Sequence, residues 1–217
     1  MAVEYYINDY LFTTGGVYVS ESKGLIDGLK LKDPRRFTWP DHHGEVVDLA
    51  APRYESREIT LNCFLKASNM ADFQAKILAF LARFMLPGLQ RLKVVVDPAK
   101  PLLYLIYLPA GTDVDKRWYP SKMVGTFNLK LKEPEPVKRV YAYTAAAGLL
   151  TLNFAVTTTE PVNIYWGDGS VTYDVTTSSG TVSHEYASAG SYHIIITGII
   201  ENITGVTTTA TLLWSKL

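Results

Sequence analysis

The residues most able to do chemistry lie near the C-terminus. Asp168, His184 and either Ser183 or Ser191 are the side-chain types of a nucleophilic hydrolase: a hydroxyl to attack, an imidazole to take its proton, a carboxylate to orient the imidazole. Their setting argues against that chemistry. No Gly-x-Ser-x-Gly turn presents a serine, and Ser183, next to His184 on a predicted strand, projects to the opposite face. Asp168 as a calcium ligand is one carboxylate where a full oxygen shell is needed. His42 and His43 share a turn, but no cysteine, third histidine or spaced carboxylate completes a metal site. The single cysteine, Cys63, has no disulfide partner and sits in the apolar run ITLNCFL, where it reads as a small buried hydrophobe. Asn202-Ile203-Thr204 is a formal glycosylation sequon, of little meaning in a chain that reads as unexported. The expectation is a protein that is not an enzyme, with no cofactor and no bound metal.

Bulk composition excludes further classes. The 21 basic and 21 acidic residues balance, which argues against a general nucleic-acid or anionic-membrane binder. The charge is unevenly spread. Residues 1–140 carry 20 basic and 16 acidic groups, whereas 141–217 carry one and five, so a domain boundary is expected near 134–143. The N-terminal MAVEYYINDY has neither a basic n-region nor an apolar h-region, so no signal peptide is read there. The longest uncharged apolar stretch, LLYLIYLPAG, is half the length of a membrane span.

The positioning elements are mostly strands. YYIN-DY-LFTT reads as a hairpin, and RRFTW and EVVDLA flank the turn PDHHG as a second one. In REITLNCFL, Ile59, Leu61, Cys63 and Leu65 alternate with Glu58, Thr60 and Asn62, the period of a half-buried strand. The period then changes. Asn69 to Leu86 predicts a helix, with Asn69 capping, Asp72 in the first turn, and Phe73, Ile77, Phe80, Leu81 and Phe84 on one face. Pro87-Gly88 stops it, and the apolar face requires a sheet beneath it. RLKVVVD, PLLYLIYLP and VGTFNLKL follow as strands, the last with Phe127, Leu129 and Leu131 inward, and EPEPVKRV is a connector. Residues 141–217 hold 15 threonines, one lysine and no arginine. There the runs YAYTAAAG, LLTLNFAV, VNIYWGD, VTYDV, TVSHEYA, SYHIIITG and TTTATLLW recur between turn residues, the spacing of an all-β sandwich.

DPRRFTWPDHHGEVVDLAAPRYESREITLNCFL, ADFQAKILAFLARFMLPGLQRL and VGTFNLKLKEP together resemble the N-terminal domain of siphophage distal tail proteins, over residues 1–136. The shared features are order and spacing: N-terminal strands, a β-extension, a strand, one helix with a Pro-Gly stop, and closing strands. The resemblance implies a head-to-tail homo-oligomer, a hexameric ring around the tail channel that joins tube to hub or baseplate. It also implies residence in the virion tail and contact with tape-measure, tube and other tail-tip proteins. A ring of one chain needs two different surfaces on each copy. The segment from Arg35 to Glu58 is the candidate self-assembly arm, with Arg35, Arg36, Trp39, Asp41, Glu45, Asp48, Arg53 and Arg57 as its candidate contact residues. As solvated hairpin charges, each pair would instead contribute roughly 0–1 kcal/mol.

VNIYWGDGSVTYD followed by VSHEYASAGSYHIIITG resembles a PKD domain, an immunoglobulin-like sandwich, over residues 137–217. Trp166, Asp168, Gly169, His184, Tyr186, Gly190 and Tyr192 carry the pattern. Asp168 is expected to bond amides across its own turn, Gly169 to take positive φ, Trp166 to fill core, and Tyr186 to tie a loop with its hydroxyl. Tyr141, Tyr143, Tyr165, Tyr173 and Trp214 include candidates for an exposed platform toward a host-surface glycan or protein. The reading is therefore mainly β: a β-sandwich with one packed helix (about 69–86) and a β-hairpin arm over 1–136, then an immunoglobulin-like sandwich over 137–217. The expected function is a tail-tip structural protein, with neither membrane insertion nor recognition of nucleic-acid sequence. The alternative is a non-catalytic carbohydrate- or protein-binding surface module that forms no ring.

Overall fold

The computed structural model describes residues 3–119 and 122–217. It divides into two compact units, Met1–Pro136 and Val137–Leu217. The architecture is mainly β.

Along the first unit run β1 (Glu4–Ile7), β2 (Tyr10–Leu11), a 3-10 turn (Phe12–Gly15), β3 (Val17–Lys23), β4 (Arg36–Phe37), β5 (Val46–Val47) and β6 (Arg57–Ala67). Then come α1 (Met70–Ala82), β7 (Gln90–Val95), β8 (Leu102–Ile106), β9 (Val114–Tyr119) and β10 (Lys122–Glu133). Two antiparallel sheets form, ordered β2-β1-β7-β8 and β3-β6-β10-β9, with β4-β5 as a separate ribbon. The β1–β2 turn is Asn8-Asp9, both at positive φ, the backbone that a two-residue hairpin requires.

The central strands follow the pattern read from the sequence. Ile59, Leu61, Cys63 and Leu65 of β6 and Phe127, Leu129 and Leu131 of β10 are buried, while Glu58, Asn128 and Lys130 face outward. Strand β8, the longest apolar stretch, is buried throughout. Helix α1 lies on β6 and β10 and against the 3-10 turn. Phe80 meets Phe12 edge-on at 4.9 Å and Phe127 at 5.9 Å. At its start the Asn69 side chain accepts from the Asp72 amide (2.9 Å), while the Asp72 carboxylate accepts from Ser68 (2.9 Å). The helix is shorter than its apolar pattern. Past Ala82 the chain tightens into i→i−3 bonds at Arg83, Phe84 and Met85, because Pro87 bars Leu86 from helical backbone. Phe84 remains in the core regardless.

The second unit contains β11 (Arg139–Ala145), β12 (Thr151–Thr158), β13 (Val162–Tyr165), β14 (Val171–Val175), β15 (Thr181–Glu185), β16 (Gly190–Gly198), β17 (Ile203–Thr208) and β18 (Thr211–Trp214). A five-stranded sheet (β14-β13-β16-β11-β18) and a three-stranded one (β15-β12-β17) share a core that includes Leu152, Phe154, Ile164, Trp166, Tyr186, Ile194 and Ile196. The run TTTATLLW, read as one strand, belongs to two. β17 ends in one sheet, Thr208 caps the Ala210 amide (3.2 Å), and β18 begins in the other sheet. A two-residue corner leaves the period-two pattern intact, so alternation could not reveal it.

Candidate functional site

Two regions concentrate the residues singled out by the sequence. The first is the arm. Strands β4 and β5 pair Arg36 with Val47 and Phe37 with Val46, and Leu31 bridges Tyr54 nearer the body. Outside the β4–β5 pairing the ribbon is held by Asp48 N to Arg35 O (3.0 Å), Lys32 N to Arg53 O (2.8 Å) and Glu55 N to Lys30 O (2.8 Å). Every residue from 35 to 46 is exposed. Ion pairs decorate it, Lys30 with Glu55 at 2.8 Å and Arg36 with Asp33 at 2.7 Å and Glu45 at 3.7 Å. Asp48 accepts from the Ala50 amide, and Asp41, His42 and His43 lie in the exposed tip turn.

The apolar content of the arm is the larger finding. Phe37 (51%), Trp39 (49%), Val46 (56%) and Leu49 (53%) are exposed, with Phe37 and Trp39 stacked at 6.0 Å. A groove of about 460 Å³ runs beside them, floored by Leu31, Pro34, Val47 and Leu49. The charges and Trp39 are among the candidate contact residues expected from sequence; Phe37, Val46 and Leu49 are additional, and the signal for them is two short apolar runs flanking the turn.

Arg57 does not belong to this surface. It opens β6, is buried, and its Nε lies 3.3 Å from the wholly buried Glu133 carboxylate. Its guanidinium stands 5.3 Å over the Tyr104 ring and bonds the Leu25 carbonyl. A residue placed by sequence at the edge of the arm is thus inside the body, because the period-two burial of β6 begins with it.

The second region is a corner of the second unit. Trp166 is buried, its indole N–H donating to Thr172 Oγ1 (2.9 Å) and its amide to Ser170 O (3.1 Å), which closes the turn. Within that turn Gly169 stands at φ 102°, and Asp168 Oδ1 accepts from the Ser170 amide (2.9 Å) and hydroxyl (2.5 Å). Asp168 Oδ2 lies 2.7 Å from His184 Nε2, and the imidazole stacks on Trp166 at 4.8 Å. Tyr186, buried, donates its hydroxyl to Trp166 O (3.0 Å) and stacks on Tyr192 at 3.9 Å. Tyr192 donates to Ser188 O (2.9 Å), and Gly190, which opens β16, lies under its ring.

The serine that joins Asp168 and His184 is Ser170, not Ser183 or Ser191. Ser183 bonds Asn153 (2.7 Å). Asp168–Gly169–Ser170 has the spacing of an Asx-turn, and that signal could have identified Ser170. The trio is not arranged for nucleophilic attack. One imidazole nitrogen, Nε2, faces both the carboxylate and the hydroxyl (3.3 Å), and Ser170 donates to Asp168; a relay needs the two partners on different nitrogens. Partial burial pushes the Asp168 carboxyl up, but the Ser170 hydroxyl and amide and then His184 outweigh it and hold it below the ordinary carboxylate value. The arrangement pins a turn. Of the five candidate platform aromatics, Tyr141 is buried, Tyr143 stacks on Tyr186 (5.7 Å), Tyr165 and Trp214 are half-buried, and Tyr173 is 64% exposed.

Among the described residues no group of three or more His, Cys, Asp or Glu side chains gathers as a metal site, and no helix is long and apolar enough to cross a membrane.

No family model matches this chain, and no curated protein matches it. Among solved structures it is similar to the crystal structure of the SPP1 Dit (gp 19.1) protein, described as a paradigm of hub adsorption apparatus in Gram-positive infecting phages. The identity is 12% and the TM-score 0.49, over 90% of this chain and 79% of that one.

Proposed function

We propose that this chain is a non-enzymatic structural component of a phage tail tip, whose first unit self-assembles into a ring, expected to be of six copies, between tail tube and baseplate. The observation that carries the self-assembly is the arm. A two-stranded ribbon is marginal in water, and this one holds four large apolar side chains outward. Burying one such side chain contributes roughly 1.5–3 kcal/mol, against roughly 0–1 for an exposed ion pair, so the apolar residues dominate the association and the charges set its register. The phage-tail part rests on the resemblance of residues 1–136 to distal tail proteins in the order and spacing of their elements.

In this reading the second unit, a PKD-like sandwich, is a contact module toward other tip proteins or the host surface. A carbohydrate platform is the weaker reading, since one of its five candidate aromatics is more than half exposed. The test is native mass spectrometry and negative-stain electron microscopy of the full chain at high concentration, alone and with tail-tube protein. Rings with a central hole, abolished by replacing residues 36–47 with a Gly-Ser turn, are expected. A strict monomer under both conditions overturns the proposal.

A further inference from the structure

The arm leaves the body through residues 24–31 and returns through 54–57, and both roots converge on one buried polar node. Arg57 donates to the carbonyls of Leu25 and Gly24, and Tyr104 adds its hydroxyl to Leu25 O at 2.7 Å. Glu133 holds the guanidinium from the far side and accepts from the Leu105 amide (3.2 Å). Gly24 is tied in addition to Asp27 (2.8 Å), and its φ of 83° places the backbone against β6; a Cβ there would stand 1.9 Å from Glu58 O. Three strands thus anchor one loop: β6 through Arg57, β8 through Tyr104 and β10 through Glu133.

A buried ion pair of this kind contributes little net stability compared with an apolar substitute, so stability alone does not account for it. Its geometry does something an apolar contact cannot. A planar guanidinium that donates to backbone carbonyls, with a carboxylate 3.3 Å from its Nε as counter-charge, fixes direction as well as distance through those carbonyl bonds.

We propose that Arg57, Glu133 and Tyr104 are positioning residues that set the angle and rigidity of the arm, and through it the geometry of the self-association proposed above, on which this inference rests. Arg57 and Tyr104 bond the root of the arm at Gly24 and Leu25, and Glu133 stands beside Arg57. Beyond the root the arm is a ribbon of two two-residue strands, which is marginal by itself, so its order would depend on how firmly the root is held.

The test is amide hydrogen exchange of the full chain at a concentration where it is monomeric, for the native sequence, Tyr104→Phe and Glu133→Gln. Tyr104→Phe removes one hydroxyl and preserves packing, so the fold is retained even where Glu133→Gln is harsher. Exchange in peptides covering residues 24–35 and 48–56 is expected to rise roughly fivefold or more in both variants, with the centre of β10 unchanged, the effect of losing a net hydrogen bond locally. Unchanged exchange in the arm peptides, or an equal rise in arm and β10, overturns the inference. Native mass spectrometry on the same samples separates the two proposals. Loosened arm peptides in a chain that never assembles refute the ring and support the node; rings formed equally well by Tyr104→Phe, with undisturbed exchange, refute the node alone.

Discussion

The arm and the Trp166 corner are both turns flanked by aromatic and charged residues, and they resolve those residues in opposite ways. In the corner each polar group finds a partner inside the turn: Asp168 with Ser170 and His184, Trp166 with Thr172, Tyr186 with the Trp166 carbonyl. Its aromatics stack over one another and close a core. In the arm the polar groups also pair locally, but Phe37, Trp39, Val46 and Leu49 have no core to enter. The corner is complete within one copy. The arm leaves its apolar side chains exposed, and under the self-assembly proposed above a second copy would cover them.

The largest effect that would break the contrast is loss of the Trp166 ring. Trp166→Ala should cost the second unit about 3–5 kcal/mol, seen calorimetrically as a lowered transition for that unit while the first unit's transition stays in place. Next comes the arm. Phe37→Ser with Trp39→Ser should leave the first unit's melting unchanged within about 0.5 kcal/mol, as for surface positions, yet weaken assembly by roughly 2 kcal/mol per aromatic, read as lost rings in native mass spectra. If instead these changes unfold the unit, the arm is structural like the corner.

A smaller effect sharpens the corner itself. The Asp168 carboxyl titrates in the folded state below its unfolded value of about 3.9. The stabilisation it supplies is therefore complete above that value and lost as pH falls through the lower folded one. The second unit's melting temperature should drop below about pH 4 in the native protein, and less steeply in Asp168→Asn. Smallest is Cys63. Burial pushes its thiol up to about 12, so at pH 8 iodoacetamide should leave it unmodified in the native protein and label it only after unfolding. Labelling of the native protein would mean that β6 opens, and that the body is no firmer than the arm.

Much of this was legible beforehand, for reasons that can be named. The alternation in β6 and β10 and the 3.6-residue pattern of α1 are local consequences of which face meets water, so composition along a few residues suffices. The end of α1 was not legible. Phe84 keeps the helical apolar pattern, and only backbone geometry before Pro87 shows that the last turn tightens. The corner at Thr209-Ala210 was hidden for a similar reason, since a strand that changes sheet keeps its period.

The residue types, the two-part composition and the turn chemistry of Asp168–Gly169–Ser170 were determined by the sequence alone, because each depends on neighbours a few positions apart. Tertiary structure decided which of these residues could reach one another. It turned Arg57 inward to Glu133, a partner far along the chain, and brought His184 to Asp168 through one nitrogen, which closes a turn and leaves no relay. It also left Phe37, Val46 and Leu49 without a core. Whether an apolar side chain is buried depends on what the rest of the chain places over it, and nothing in the immediate sequence of the arm supplies that.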